Sequence, residues 1–137
     1  MSYLLDTNVV SELRRPRPNE AVLNWFDSVS STELWLSVLV LGEVRQGVEQ
    51  LARRDPDQAA IREKWLLDLA DLFGDRIAPV TTEVADLWGR LNVQDRLPAV
   101  DGLLAATALV HGWTLVTRNT SDVARTGAMV LNPFGWS

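Results

Sequence analysis

The sequence predicts an α/β fold, helices packed on a mainly parallel sheet. Short continuous apolar runs recur along the chain, and between them the apolar spacing changes to that of helices. The length, 137 residues, suits one ordinary domain with a single core, so residues 1–137 are expected to form one unit.

Taken in order, the apolar runs are Tyr3–Leu5, Leu34–Ser37, Ile77–Val80, Thr114–Thr117 and Met129–Leu131, each of a length and composition that suits a strand buried on both faces. Thr7 and Asn8 start a helix directly after the first run. Val22, Trp25, Phe26 and Val29 then fall at i, i+3, i+4 and i+7, the spacing of one helical face. Leu41, Val44, Val48 and Leu51 trace a second stripe, Ile61, Trp65, Leu69, Leu72 and Phe73 a third, and Val84, Leu87, Trp88 and Leu91 a fourth. Leu103–His111 is apolar nearly all round and is closed by Gly112, which predicts a buried helix with a glycine C-cap. A short helix is expected between the last two strands. Arg14–Asn19 and Arg53–Asp57 read as loops, and no repeat, low-complexity tract or linker divides the chain. In sheets of this kind ligands bind beyond the carboxyl ends of the strands.

Composition narrows the chemistry. Eighteen acidic against thirteen basic residues give a net charge of −5, so any nucleic-acid contact must be local. The chain has no cysteine, which excludes disulfides, thiolate metal sites and cysteine nucleophiles, and one histidine, His111, cannot build a multi-histidine site. No apolar run reaches the ~18–20 residues of a membrane span. The first residues lack a signal peptide's basic and long apolar segments, so a cytoplasmic protein is expected. The basic residues are twelve arginines and one lysine, Lys64. Of the six tryptophans, Trp25, Trp65 and Trp88 lie on core stripes and Trp35 in a strand, where packing is expected; Trp136 in the tail is open to a subunit or partner contact.

Oxygen-bearing side chains gather at the expected ligand edge. Asp6 ends the first strand, either as a helix cap or as a ligand. Glu43 lies one to two turns into the helix after Leu34–Ser37 among apolar neighbours, so it must meet a cation, hold a metal or point to solvent. Arg45, two residues on, is about 200° around the helix and is not its partner. Asp101 opens the buried helix, where the macrodipole also favours it, and Gly102 beside it leaves room for another backbone or a ligand. Asn119 and Asp122 follow the fourth strand, as oxygen donors or as turn and cap residues. Carboxylates held together repel unless protonated or neutralised, and hard Mg2+ or Mn2+ is their natural partner. Phosphodiester hydrolysis suits such a centre.

The segment Leu4-Leu5-Asp6-Thr7-Asn8-Val9-Val10-Ser11-Glu12-Leu13 resembles the opening of PIN-domain ribonucleases of the VapC toxin family, in its FitB-like subgroup. Leu36-Ser37-Val38 with Leu41–Gly47 resembles the family's second acidic motif, and Val100–Ala108 its third. Thr117–Asp122 and Leu131-Asn132-Pro133-Phe134 complete a likeness over essentially the whole chain. The resemblance implies a three-layer α/β/α sandwich with a five-stranded sheet, and an acidic triad of Asp6, Glu43 and Asp101 holding Mg2+ or Mn2+. Where some relatives carry a fourth aspartate this chain has Asn119, with Asp122 three residues later as the available carboxylate. Thr7, Asn8, Ser11 and Thr117 are implied as residues supporting the ligands or touching phosphate. The likeness further implies a homodimer, an RNA substrate cut to leave 5′-phosphate and 3′-hydroxyl ends, and a VapB-type antitoxin whose tail crosses the active-site groove. Arg14, Arg15, Arg17, Arg45, Arg53 and Arg54 are the candidate RNA contacts.

Two other readings compete. A haloacid-dehalogenase-type phosphohydrolase also starts with an aspartate after its first strand, but needs a second aspartate where Asn8 stands and a lysine after a later strand, whereas Lys64 falls mid-helix. The other is a PIN-like module that grips RNA or antitoxin with weak or no cleavage, in line with the altered fourth position.

Overall fold

The computed structural model describes residues 1–94 and 96–136. Strand β1 (Tyr3–Leu5) leads into helices α1 (Thr7–Arg14) and α2 (Glu20–Ser28), and β2 (Leu34–Ser37) into α3 (Val38–Ala52) and α4 (Pro56–Phe73). Then β3 (Ile77–Ala78) leads into α5 (Thr82–Gln94) and α6 (Ala99–His111), and β4 (Thr114–Val116), α7 (Thr120–Ala124) and β5 (Met129–Leu131) finish the fold. This is the order of strands and helices that the apolar periodicity predicts.

The five strands lie in the order β3-β2-β1-β4-β5, and each adjacent pair is parallel. Leu4 stands opposite Trp35 and Leu115, and Leu5 opposite Val116. Successive strand residues face opposite sides, and Leu4 and Leu5 are 0% and 1% exposed, so helices cover both faces and the sandwich has three layers. From β1 the chain builds outward through β2 and β3, then crosses back to lay β4 on β1's other side. The strand order therefore reverses between β1 and β4, which opens a crevice at their carboxyl ends.

Several boundaries and faces depart from the sequence expectation. β3 stops at Ala78 because Pro79 has no N–H to give the sheet, and Val80 is exposed. β4 ends at Val116, although the Thr117 N–H still reaches Leu131 O at 3.0 Å. α6 begins at Ala99, ahead of the apolar run from Leu103, with Asp101 in its first turn as expected, and His111 at its far end is exposed. On α4, Ile61 and Leu72 are 63% and 71% exposed. That helix has apolar residues on more than one side, and the side it buries runs through Ala59, Leu66, Leu69 and Phe73. The glycine cap of α6 is as expected, with Gly112 in the left-handed region at φ 70°.

The tryptophans pack mainly as expected. Trp25 is 2% exposed and edge-on to Tyr3 and Phe26, while Trp35 stacks on Trp113, which stacks in turn on His111. Trp136 also packs, partly buried, against the core. Gly102 has a structural purpose: a Cβ there would stand 3.0 Å from the Trp88 indole, so the glycine lets α5 close onto α6. It is no approach for a ligand. Among the described residues no helix is long and apolar enough to cross a membrane.

Candidate active site

The crevice between β1 and β4 is built from the end of β1 outward. The Asp6 N–H still belongs to the sheet and donates to Val116 O at 2.9 Å. The chain then turns into α1 with Asp6 as N-cap, its Oδ1 accepting from Thr7 N at 2.6 Å. The cap reading of Asp6 is therefore met by one oxygen, and the second is left for other partners. Oδ2 accepts the Thr117 hydroxyl at 2.7 Å and Asn8 Nδ2 at 3.4 Å. Thr117 is fully buried, and its Oγ1 also accepts from Asn119 N, while Asn8 Oδ1 accepts from Arg118 N at 3.3 Å. These bonds lace the ends of β1 and β4 together.

Glu43 joins through the same corner. It lies in the second turn of α3, and its Oε1 accepts the Thr7 hydroxyl at 2.5 Å. Thr7 therefore serves Asp6 with its backbone and Glu43 with its side chain, across 36 residues of sequence. Asp101 completes the set from α6. Burial raises its pKa, and the charges of Asp6, Glu43 and Asp122 raise it further. Residues from four elements therefore share one field. Among the described residues no arginine or lysine forms an ion pair with Asp6, Glu43 or Asp101.

The remaining candidates are placed less centrally. Asn119 is the exposed N-cap residue of α7 and its side chain caps nothing. Asp122 is exposed and lies 3.6 Å from Arg125, so its nearest cation comes from its own helix, although its charge reaches Asp101. Ser11 lies a turn beyond Thr7, with no hydrogen bond to the cluster. Lys64 pairs with Asp68 on α4 and has no part in the site, contrary to what a dehalogenase-type centre requires.

Three of the expected RNA contacts are engaged elsewhere: Arg15 with Glu12, Arg45 with Glu63, and Arg14 over the Trp65 ring. An apolar cleft of about 670 Å3, bounded in part by Val10, Phe26, Trp65 and Phe73, contains none of the candidate residues. The sequence reading missed Glu12, buried at the last turn of α1, and the Arg118–Phe134 stack; the Glu12 to Arg15 spacing of three was the available signal for the first.

The donor set suits a hard divalent cation in kind, being carboxylate oxygens with neutral hydroxyl and amide support. Among the described residues no three such groups are drawn close enough to hold an ion as they stand.

A fold with its crevice at this switch point and acids at its rim defines a class. The PIN domain family model matches residues 3–128. The chain is 35% identical over 136 residues to toxin FitB of Neisseria gonorrhoeae, covering 96% of this chain and 97% of that one. It is 33% identical over 135 residues to VapC ribonuclease Y4jK of Sinorhizobium fredii, covering 96% of each. The crystal structure of FitAcB from Neisseria gonorrhoeae matches with a TM-score of 0.87 at 34% identity, over 97% of this chain and 99% of that one. The chain belongs to the PIN-domain family. Within it, the chain groups with relatives of the VapC/FitB kind.

Proposed function

We propose that this chain is the endoribonuclease toxin of a type II toxin–antitoxin module, with Asp6, Glu43 and Asp101 holding Mg2+ or Mn2+ for RNA phosphodiester hydrolysis. The observation that carries the reading is a set of carboxylates at the switch point that no arginine or lysine among the described residues pairs with. When bound, the ion supplies positive charge against a phosphoryl oxygen and lowers the pKa of water. The chain's own residues supply orientation. Thr117 and Asn8 fix the Asp6 carboxylate, Thr7 fixes Glu43, and burial together with the charges of the neighbouring acids raises the pKa of Asp101. Asn119, with its amide uncommitted, stands at the fourth position, and Asp122 adds charge from outside.

The same acidity motivates the partner. A VapB-type antitoxin with an arginine in its tail would pair with these carboxylates in place of metal and silence the site. We place the protein in the cytoplasm as a homodimer, each chain a single PIN domain over 1–137. The test incubates antitoxin-free protein with total cellular RNA, with and without Mn2+, and maps new 5′ ends. New 5′-phosphate ends that require the metal are expected; RNA bound but uncut under every metal condition would instead identify a binding module.

A further inference from the structure

We propose that Arg118, stacked on Phe134, is a phosphate-contacting residue that seats the RNA strand beside the carboxylates. The inference rests on the ribonuclease reading above. An acidic chain with an acidic site repels RNA, so some cation near the scissile bond must hold the backbone. The sequence offers many arginines; position and commitment distinguish them. Arg14, Arg15 and Arg45 already stack or pair elsewhere, and Arg17, Arg53 and Arg54 sit on exposed connections after helices with no bond to the site.

Arg118 is built into the site by its backbone. It follows Thr117, whose hydroxyl holds Asp6, and its own N–H is bonded to Asn8. Its side chain is exposed, yet fixed: the guanidinium carbon lies 3.7 Å from the Phe134 ring centroid. Phe134 is held in turn in the Pro133–Gly135 turn, its N–H donating to Asn132 Oδ1 at 3.0 Å while the ring packs partly buried against the core. The stack engages the flat face of the guanidinium and leaves its in-plane N–H donors available. Among the described residues no carboxylate forms an ion pair with Arg118. Glu12 is near enough to feel its charge, but that carboxylate accepts from Asn19 N and Arg15. The result is an oriented fork held on Phe134, on the residue that directly follows Thr117, and a free guanidinium fork suits a phosphate.

The test measures binding of a short fluorescein-labelled oligoribonucleotide of mixed sequence, in an Asp6→Asn background so that the probe survives, and steady-state cleavage without that substitution. Arg118→Met keeps the apolar stem on Phe134 and removes the charge. It should weaken binding about tenfold and make the dependence of log Kd on log salt shallower by about 0.7, as for one phosphate contact to a single strand. In cleavage the loss should fall on KM rather than kcat. Arg118→Lys should restore the salt dependence and only part of the affinity, and both variants should melt with the unsubstituted protein. Unchanged affinity and salt dependence would overturn the inference, as would a lowered Tm with unchanged affinity, which would make the stack a structural clamp. Cleavage that persists while Arg118 proves irrelevant removes this inference alone; failure of the unsubstituted protein to bind or cut RNA removes the ribonuclease reading as well.

Discussion

Asp6 and Glu12 stand at opposite ends of α1, are equally buried at 6% exposure, and meet opposite treatment. Glu12 accepts from Asn19 N at 2.9 Å and from Arg15 at 3.3 Å, and its pKa is lowered, first by the backbone bond and then by Arg15. It ties the last turn of α1 to the start of α2. Among the described residues Asp6 receives neutral donors alone, Thr7 N, Thr117 and Asn8, in the field of other acids. Burial therefore does not distinguish the two carboxylates; the charge of the partner does. A buried acid that its own chain neutralises holds the fold, whereas one set among like charges is held at some cost and calls for a cation from outside.

The sharpest way to break this contrast is to remove the charge at Asp6. Asp6→Asn keeps an oxygen to cap α1, so the fold should survive with a Tm near that of the parent. RNA cleavage by the purified variant should fall about 10³-fold or more, and the rise in Tm on adding Mn2+ should disappear. Retained cleavage would refute the assignment of Asp6. Next in size is Thr117→Val, which deletes the hydroxyl that orients Asp6 and leaves shape nearly unchanged. Loss of such outer support costs about 10–100-fold in metal affinity or activity, read from Mn2+ titrations of cleavage rate.

Glu12→Ala should do the reverse, leaving activity per folded molecule intact while lowering stability by about 2 kcal/mol, because Asn19 N–H and Arg15 lose their acceptor. Since the folded pKa of Glu12 lies below its ordinary 4.5, its charge stabilises above that value and loses its effect as pH falls through the folded pKa. Denaturant melts should show the gap between variant and parent full at neutral pH and narrowing in acid. A Glu12→Ala protein that folds normally and fails to cleave would erase the distinction between the two ends of α1.

Much of this was legible without coordinates. Apolar periodicity gave the order of elements, because strands buried on both faces read as continuous runs and amphipathic helices repeat at their own spacing. The acids at strand ends and helix starts could be found because charge among apolar neighbours is conspicuous. What periodicity could not rank was α4, where Trp65, Leu69 and Leu72 form a stripe as regular as the buried one through Ala59, Leu66 and Leu69. Long-range pairings were equally invisible. Thr7 with Glu43 and Thr117 with Asp6 join residues 36 and 111 apart, and the partner of Gly102 is an indole on a different helix. Arg118 looked like one arginine among twelve until Phe134 was seen beneath it.

The smallest effect tests the electrostatics most directly. Asp101 occupies the first turn of α6, where the helix dipole favours a negative charge by about 0.3–1 kcal/mol, yet its pKa is raised, so burial and the neighbouring acids outweigh the dipole. A raised carboxyl favours the fold in its protonated form. That contribution is full below the ordinary 3.8 and is lost as pH rises through the folded pKa. Asp101→Asn should therefore melt slightly above the parent at neutral pH in EDTA, by a few degrees at most because the group is only partly buried, and the difference should vanish in acid. Adding Mn2+ should invert the order, since the ion stabilises only a chain that can bind it. A variant that melts below the parent in EDTA would mean that Asp101 serves its helix first, and the case for a strained acidic centre would lose its third member.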